Sequence, residues 1–145
     1  MRFRNFPKTD LSVSELGFGV WTVATGWWGE KTDDEAIALL REAKEYGVNF
    51  FDTADTYGNG RGEELLQKAF GKNPDGLVYA TKFGYDIYSQ TAEARRGQRE
   101  LPHRLDAEFI RFACEKSLER LGVEGPLVEL TQRFKKIPAP AARGK

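Results

Sequence analysis

Cysteine and histidine are nearly absent from this sequence, with one of each in 145 residues. A single thiol, Cys114, excludes an internal disulfide and fits a reducing compartment. An excess of charge is also absent: 22 Lys and Arg stand against 22 Asp and Glu. That balance gives no electrostatic footing for nucleic acid or a membrane surface. No stretch approaches the ~18 apolar residues of a membrane helix. The opening MRFRNFPKTD lacks the apolar core of a signal peptide. The expectation is a cytoplasmic protein. What is present suffices for one domain: 40 % of residues are apolar and 12 % aromatic, enough for a core.

Residues 2–13 read as a hairpin: RFRNF alternates, PKTD supplies turn chemistry and LSV returns. ELGFGVW follows as a short apolar run broken by Gly17 and Gly19, where a backbone can approach something closely. Thr32 and Glu35 have capping-box spacing and open a helix over 32–46. Ala36, Ile37, Leu39, Leu40 and Ala43 form its apolar face, and Gly47 ends it. VNFF (48–51) lacks alternation and reads as a buried strand. EELLQKAF is a short helix closed by Gly71, NPDG a turn, and LVYATK (77–82) a second buried strand. This order of strands and helices predicts parallel βα units. Residues 83–105 are long, polar and aperiodic, the form of a functional or disordered loop. Asp106 opens a helix to 121, with Phe109, Ala113, Ser117 and Leu121 among its inner residues. Pro126 opens a last helix, which Pro138 stops before a loose tail.

The stretch FFDTADTYGNG (50–60) concentrates the chemistry. In parallel βα architectures, functional groups collect at the C-terminal ends of strands. Asp52 ends one strand and Lys82 the next, Tyr57 lies in the loop after Asp52, and Gly19 and Trp21 end the first apolar run. A free phenol has a pKa near ~10, and a nearby ammonium favours its phenolate. With Asp52 holding Lys82 charged, Asp52–Lys82–Tyr57 would be a tuned proton donor. The plainer reading of Asp52 and Asp55 is turn chemistry, and Tyr57 is then a half-buried aromatic. Trp27 and Trp28 wall a pocket or anchor a surface loop. Cys114 reads as a small helix residue in a core. Arg95, Arg96 and Arg99 read as a solvated loop face. Gly58-x-Gly60 is no dinucleotide fingerprint, because Glu63 stands where that motif needs glycine.

The runs GFGVW, FFDTADTYGNGRGEELL and VYATKFGY, followed by SLERLG, resemble the aldo-keto reductases over residues 1 to about 123. The resemblance implies an α/β fold, part of a (β/α)8 TIM barrel. It would comprise the N-terminal β-hairpin, about three βα units and a C-terminal helix outside the family pattern. It divides the chain into 1–123, the barrel-like part, and 124–145, a divergent helix and tail. It implies NADPH as cofactor and an aldehyde or ketone as substrate. Tyr57 would be the proton donor, Lys82 its partner and Asp52 the support of Lys82. Gly19, Val20, Trp21 and Asp52 would border the nicotinamide and its ribose, and no metal is implied. The family's further catalytic histidine lies in a run like LYQLH. GPLVELTQRFKK stands in that place here, and His103 is not given the role. A whole barrel takes ~250 residues, so the change after Val123 is read as a truncation, internal deletion or frameshift. Three parallel strands cannot close a barrel, and self-association through the open edge is expected. Two other readings stay open. One is a non-catalytic fragment, an interaction protein or decayed gene product; the other is a half-barrel that binds phosphate ligands.

Overall fold

A computed structural model of the chain describes residues 1–89 and 101–124. The expected last helix and tail, and Arg95, Arg96 and Arg99, lie outside the described residues. The chain starts with an antiparallel hairpin of β1 (Phe3–Asn5) and β2 (Ser12–Ser14), in register Arg4↔Val13. Arg2 and Arg4 both reach Glu15, at 2.8 and 2.6 Å. Asn49 ties the hairpin to the rest: it accepts from the Ser14 amide at 2.7 Å and donates to the Ser12 carbonyl at 2.9 Å.

Three short parallel strands follow, β3 (Phe18–Gly19), β4 (Phe50–Asp52) and β5 (Val78–Ala80), in the order β3-β4-β5. Gly19 pairs with Asp52 and Asp52 with Ala80, so one row crosses the sheet at its C-terminal end. Phe51 is fully buried at the centre, with the rings of Phe70, Phe18 and Tyr79 at 5.1, 6.1 and 6.3 Å. The second expected strand is shorter than LVYATK. Ladder pairing stops at Ala80, and Lys82 lies two residues beyond it. The Thr53 and Asp55 amides still donate across, to the Ala80 and Lys82 carbonyls at 2.7 and 3.1 Å.

The first apolar run does not end at Trp21. The Val20 amide donates to the Asp52 carbonyl at 2.8 Å, closing the ladder. The chain then turns into α1 (Trp21–Ala24) and a 3-10 turn (Gly26–Trp28). Helix α2 (Asp33–Glu45) starts on the expected capping box, Thr32 with Glu35. Ala36 and Leu40 are buried and Ile37 and Ala43 partly so, whereas Leu39 is 38 % exposed. The inner stripe centres on Ala36, Leu40 and Ala43, and Leu39 falls at its edge. Helix α3 (Arg61–Phe70) ends at Gly71, and α4 (Ala107–Leu121) is capped by Asp106, which accepts from the Phe109 amide at 2.9 Å.

Arg61 staples three elements at the sheet's C-terminal end. Its guanidinium bonds Asp33 of α2 at 3.0 Å and donates to the carbonyls of Val23, Ala24 and Lys31 at 3.0, 3.1 and 2.8 Å. The Val23 and Ala24 carbonyls close α1, so a cation there also meets the negative end of that helix. The loop after β5 is not aperiodic throughout. Its two arms pair, with Tyr85 bridged to His103 and the Asp86 amide donating to the Pro102 carbonyl at 2.8 Å.

Candidate active site

Asp52 is the last residue of β4, and Tyr57 sits in the turn that follows. The turn is built from left-handed residues: Gly58, Asn59 and Gly60 have φ of 64°, 55° and 95°. Gly58 is required by space as well, since a Cβ there would lie 2.6 Å from the Ala24 carbonyl oxygen. The Tyr57 amide donates to the Ala54 carbonyl at 3.1 Å, and the Gly62 amide to the Tyr57 carbonyl at 2.9 Å. The phenol is thereby turned back toward the end of β5.

Lys82 meets it there. Its ammonium donates to Asp52 Oδ1 at 2.6 Å, to the Thr53 carbonyl at 2.9 Å and to Tyr57 Oη at 3.2 Å. A protonated lysine has three donors, and these are three acceptors. The same nitrogen stands 5.0 Å from the Tyr57 ring centroid. Burial pulls the Lys82 ammonium down, but its hydrogen bonds to Asp52 and Tyr57 and their charges outweigh this, and its pKa rises. Lys82 stays charged, with its side chain half exposed to water.

The other residues singled out divide. Gly19 is exposed, with nothing within 4 Å of where a Cβ would stand. It is paired to Asp52, so an open surface adjoins the acid–amine–phenol group. Val20 is fully buried in the core; its side chain cannot border a ligand, and its amide is already bonded to Asp52. Trp21 is half-buried, its ring 6.0 Å from Trp27 and 6.4 Å from Trp28. Trp27 and Trp28 are 82 % and 69 % exposed. His103 packs against Tyr85, the ring centroids 4.3 Å apart and tilted by 44°, on the loop arm rather than beside Lys82. Cys114 is half-buried in α4, and burial pushes its thiol up, which leaves little reactive thiolate. A wide-open depression of ≈ 520 Å³ lies elsewhere, lined by Met1, Arg2, Arg4, Glu15 and Leu16, and holds none of these groups.

A second polar group escaped the sequence reading. Asp55 is 1 % exposed and Glu63 fully buried. Glu63 accepts from Arg120 of α4 at 2.6 Å and from Thr81 Oγ1 at 2.6 Å. Arg120 also donates to Tyr88 Oη at 3.1 Å. Burial pushes the Asp55 carboxyl up to about 6; the Glu63 charge adds to this and Arg120 opposes it. An acid in a polar turn and another in the first turn of a helix ordinarily face water. Only the arrival of α4 encloses them, and the one trace of this in the sequence is the arginine of SLERLG.

The profile of the aldo/keto reductase family matches residues 15–126. An uncharacterized oxidoreductase of Bacillus subtilis, YqkF, is 35 % identical over 121 residues, covering 83 % of this chain and 35 % of the relative. Probable aldo-keto reductase 1 of Glycine max is 34 % identical over 115 residues, 79 % of this chain and 31 % of that protein. This chain thus spans about a third of the length of the curated relatives it matches. Among solved structures, aldo-keto reductase AKR11C1 of Bacillus halodurans in its holo form superposes with a TM-score of 0.70. It is 26 % identical, over 91 % of this chain and 43 % of that one. Glycerol dehydrogenase AKR11B4 of Gluconobacter oxydans gives a TM-score of 0.65 at 29 % identity, over 84 % of this chain and 36 % of that one. These neighbours are TIM barrels. No helix among the described residues is long and apolar enough to cross a membrane.

Proposed function

Because the chain belongs to the aldo/keto reductase family, we propose that its Asp52–Lys82–Tyr57 group reduces an aldehyde or ketone to an alcohol with NADPH. The observation that carries this is one ammonium held at 2.6 Å from a carboxylate and 3.2 Å from a phenol oxygen at the end of a parallel sheet. On this reading the three strands are the first part of a family barrel.

The described residues fit the nicotinamide end of the cofactor in one respect. Gly19 leaves open surface on the residue paired with Asp52 across the sheet, so a flat ring finds space next to the strand end that carries the acceptor. Gly19, Trp21 and Asp52 would border it, with Val20 contributing backbone alone. The bound cofactor supplies the hydride. Tyr57 supplies the proton, through its O–H to the carbonyl oxygen, and the resulting phenolate stays beside the Lys82 ammonium that stabilises it. Asp52 keeps Lys82 charged and aimed. Trp21, Trp27 and Trp28 offer an apolar wall for the substrate's carbon skeleton.

The three tryptophans also report binding. Titration with NADPH should change their fluorescence saturably, and no change up to millimolar cofactor would overturn the reading. Lys82→Met should then lower the rate of NADPH-dependent aldehyde reduction by roughly 10²–10⁴-fold, the range of a general-acid contribution.

A further inference from the structure

Asp55 is the buried acid that the chemistry above does not use. Neither of its carboxylate oxygens has a hydrogen-bond partner among the described residues. The nearby cation is committed elsewhere: Arg120 serves Glu63, Tyr88 and Ser117 at 2.6, 3.1 and 3.4 Å. Glu63, from α3, brings a second carboxylate to the same enclosure; the Thr56 amide lies near enough to Asp55 to lower its pKa weakly, but outside hydrogen-bond geometry. Tyr88, on the segment after β5, and Cys114, on α4, also sense the Asp55 charge. Two acids thus face one guanidinium, and a proton on Asp55 makes the enclosure neutral.

The backbone couples this acid to the site. Asp55 stands between Asp52 and Tyr57 in the chain. Its amide donates to the Lys82 carbonyl at 3.1 Å, and the Tyr57 amide donates to the carbonyl of its neighbour Ala54. Seating Asp55 therefore places both the phenol and the lysine backbone.

We propose that Asp55 is a positioning residue: as the neutral acid it holds its loop against α3 and α4 with Tyr57 beside Lys82, and as the carboxylate it draws the loop toward water. Its effect on turnover rests on the reading of Tyr57 as the proton donor; the movement of the loop does not. With the Asp55 carboxyl at about 6, the seated form prevails on the acid side.

The test is nuclear magnetic resonance of the full chain with ¹³C-labelled tyrosine rings, titrated from about pH 4 to about pH 8. His103→Gln serves as the background, so that the imidazole contributes nothing to the signal. The Tyr57 signal is identified by its loss in Tyr57→Phe. It should shift with a midpoint at about pH 6 and stay at its low-pH position throughout in Asp55→Asn. A flat Tyr57 signal, or the same transition in Asp55→Asn, overturns the proposal. Should Asp55→Asn fail to fold, hydrogen exchange in the parent chain decides. The Asp55 and Tyr57 amides must lose protection through this range beyond the ordinary base-catalysed rise, and constant protection overturns the proposal. Carbonyl reduction is followed in parallel. An inert chain that shows the Tyr57 transition sinks the reductase reading and supports the positioning role; an active chain with a flat signal does the opposite.

Discussion

Replacing Arg120 by Met should cost more stability than any surface charge change in this chain. Glu63 is fully buried, and its ion pair with Arg120 is 2.6 Å long, with the arginine side chain 15 % exposed. Met keeps most of the apolar stem and removes the guanidinium, whose Nε and Cζ lie over Gly60. Among the described residues Glu63 then retains the Thr81 hydroxyl alone, with Asp55 as a second acid nearby. Breaking one side of a buried pair costs roughly 3–5 kcal/mol, because the remaining charge has lost its compensation. Against a total of about 5–15 kcal/mol for an ordinary domain, that is enough to unfold much of the population. The assay is urea unfolding followed by far-ultraviolet circular dichroism at neutral pH, on the parent, Arg120→Met, Glu63→Gln and the double variant. The double variant should be more stable than Arg120→Met alone, since Gln leaves no buried anion to compensate. An Arg120→Met unfolding free energy within about 1 kcal/mol of the parent, at equal slope, would refute the argument. It would mean that water reaches Glu63 and that the enclosure is not closed.

Asp55 gives a stability test independent of resonance measurements. Its native value, about 6, lies above the unfolded 3.8, so the native state holds the extra proton between those values and stability falls as pH rises through them. Asp55→Asn should be more stable than the parent at pH 7 by up to about 3 kcal/mol and show no advantage below about pH 4; parallel pH profiles would contradict this. Gly58→Ala should lower the free energy of urea unfolding by roughly 1–3 kcal/mol, because the new Cβ meets the Ala24 carbonyl oxygen at 2.6 Å at a φ of 64°. An unchanged midpoint would show that the Tyr57 turn is less constrained than it looks. Among the described residues β5 pairs with β4 alone, so sedimentation should find species heavier than one chain at micromolar concentration. A single monomeric boundary at every concentration counts against that.

Local signals located most of the elements. The Thr32/Glu35 capping box, Gly71 and Gly122 mark helix ends in the structure because caps are settled within a few residues of chain. The parallel sheet was legible from buried, unalternating runs spaced by helices. Helix α1 was not. WTVA has no cap, and its turn follows from the closing bond between Val20 and Asp52, residues far apart in sequence. The extent of β5 escaped for the same reason, since a strand lasts only as long as its neighbour pairs with it.

The acid, phenol and amine could be named from the sequence, because residues at successive parallel strand ends must share one rim. Their distances were not implied. The 2.6 Å contact follows from the pairing of two neighbouring strand ends, and the 3.2 Å contact depends on a left-handed turn at Gly58–Gly60 that bends Tyr57 back over Lys82. Glu63 and Asp55 show the reverse case. Each satisfies an ordinary local rule for a surface acid, and each is buried once α4 folds across them with Arg120. Burial is a property of what lies across the chain, and with the Glu63 charge beside it, burial turns Asp55 from loop chemistry into an acid pushed up to about 6.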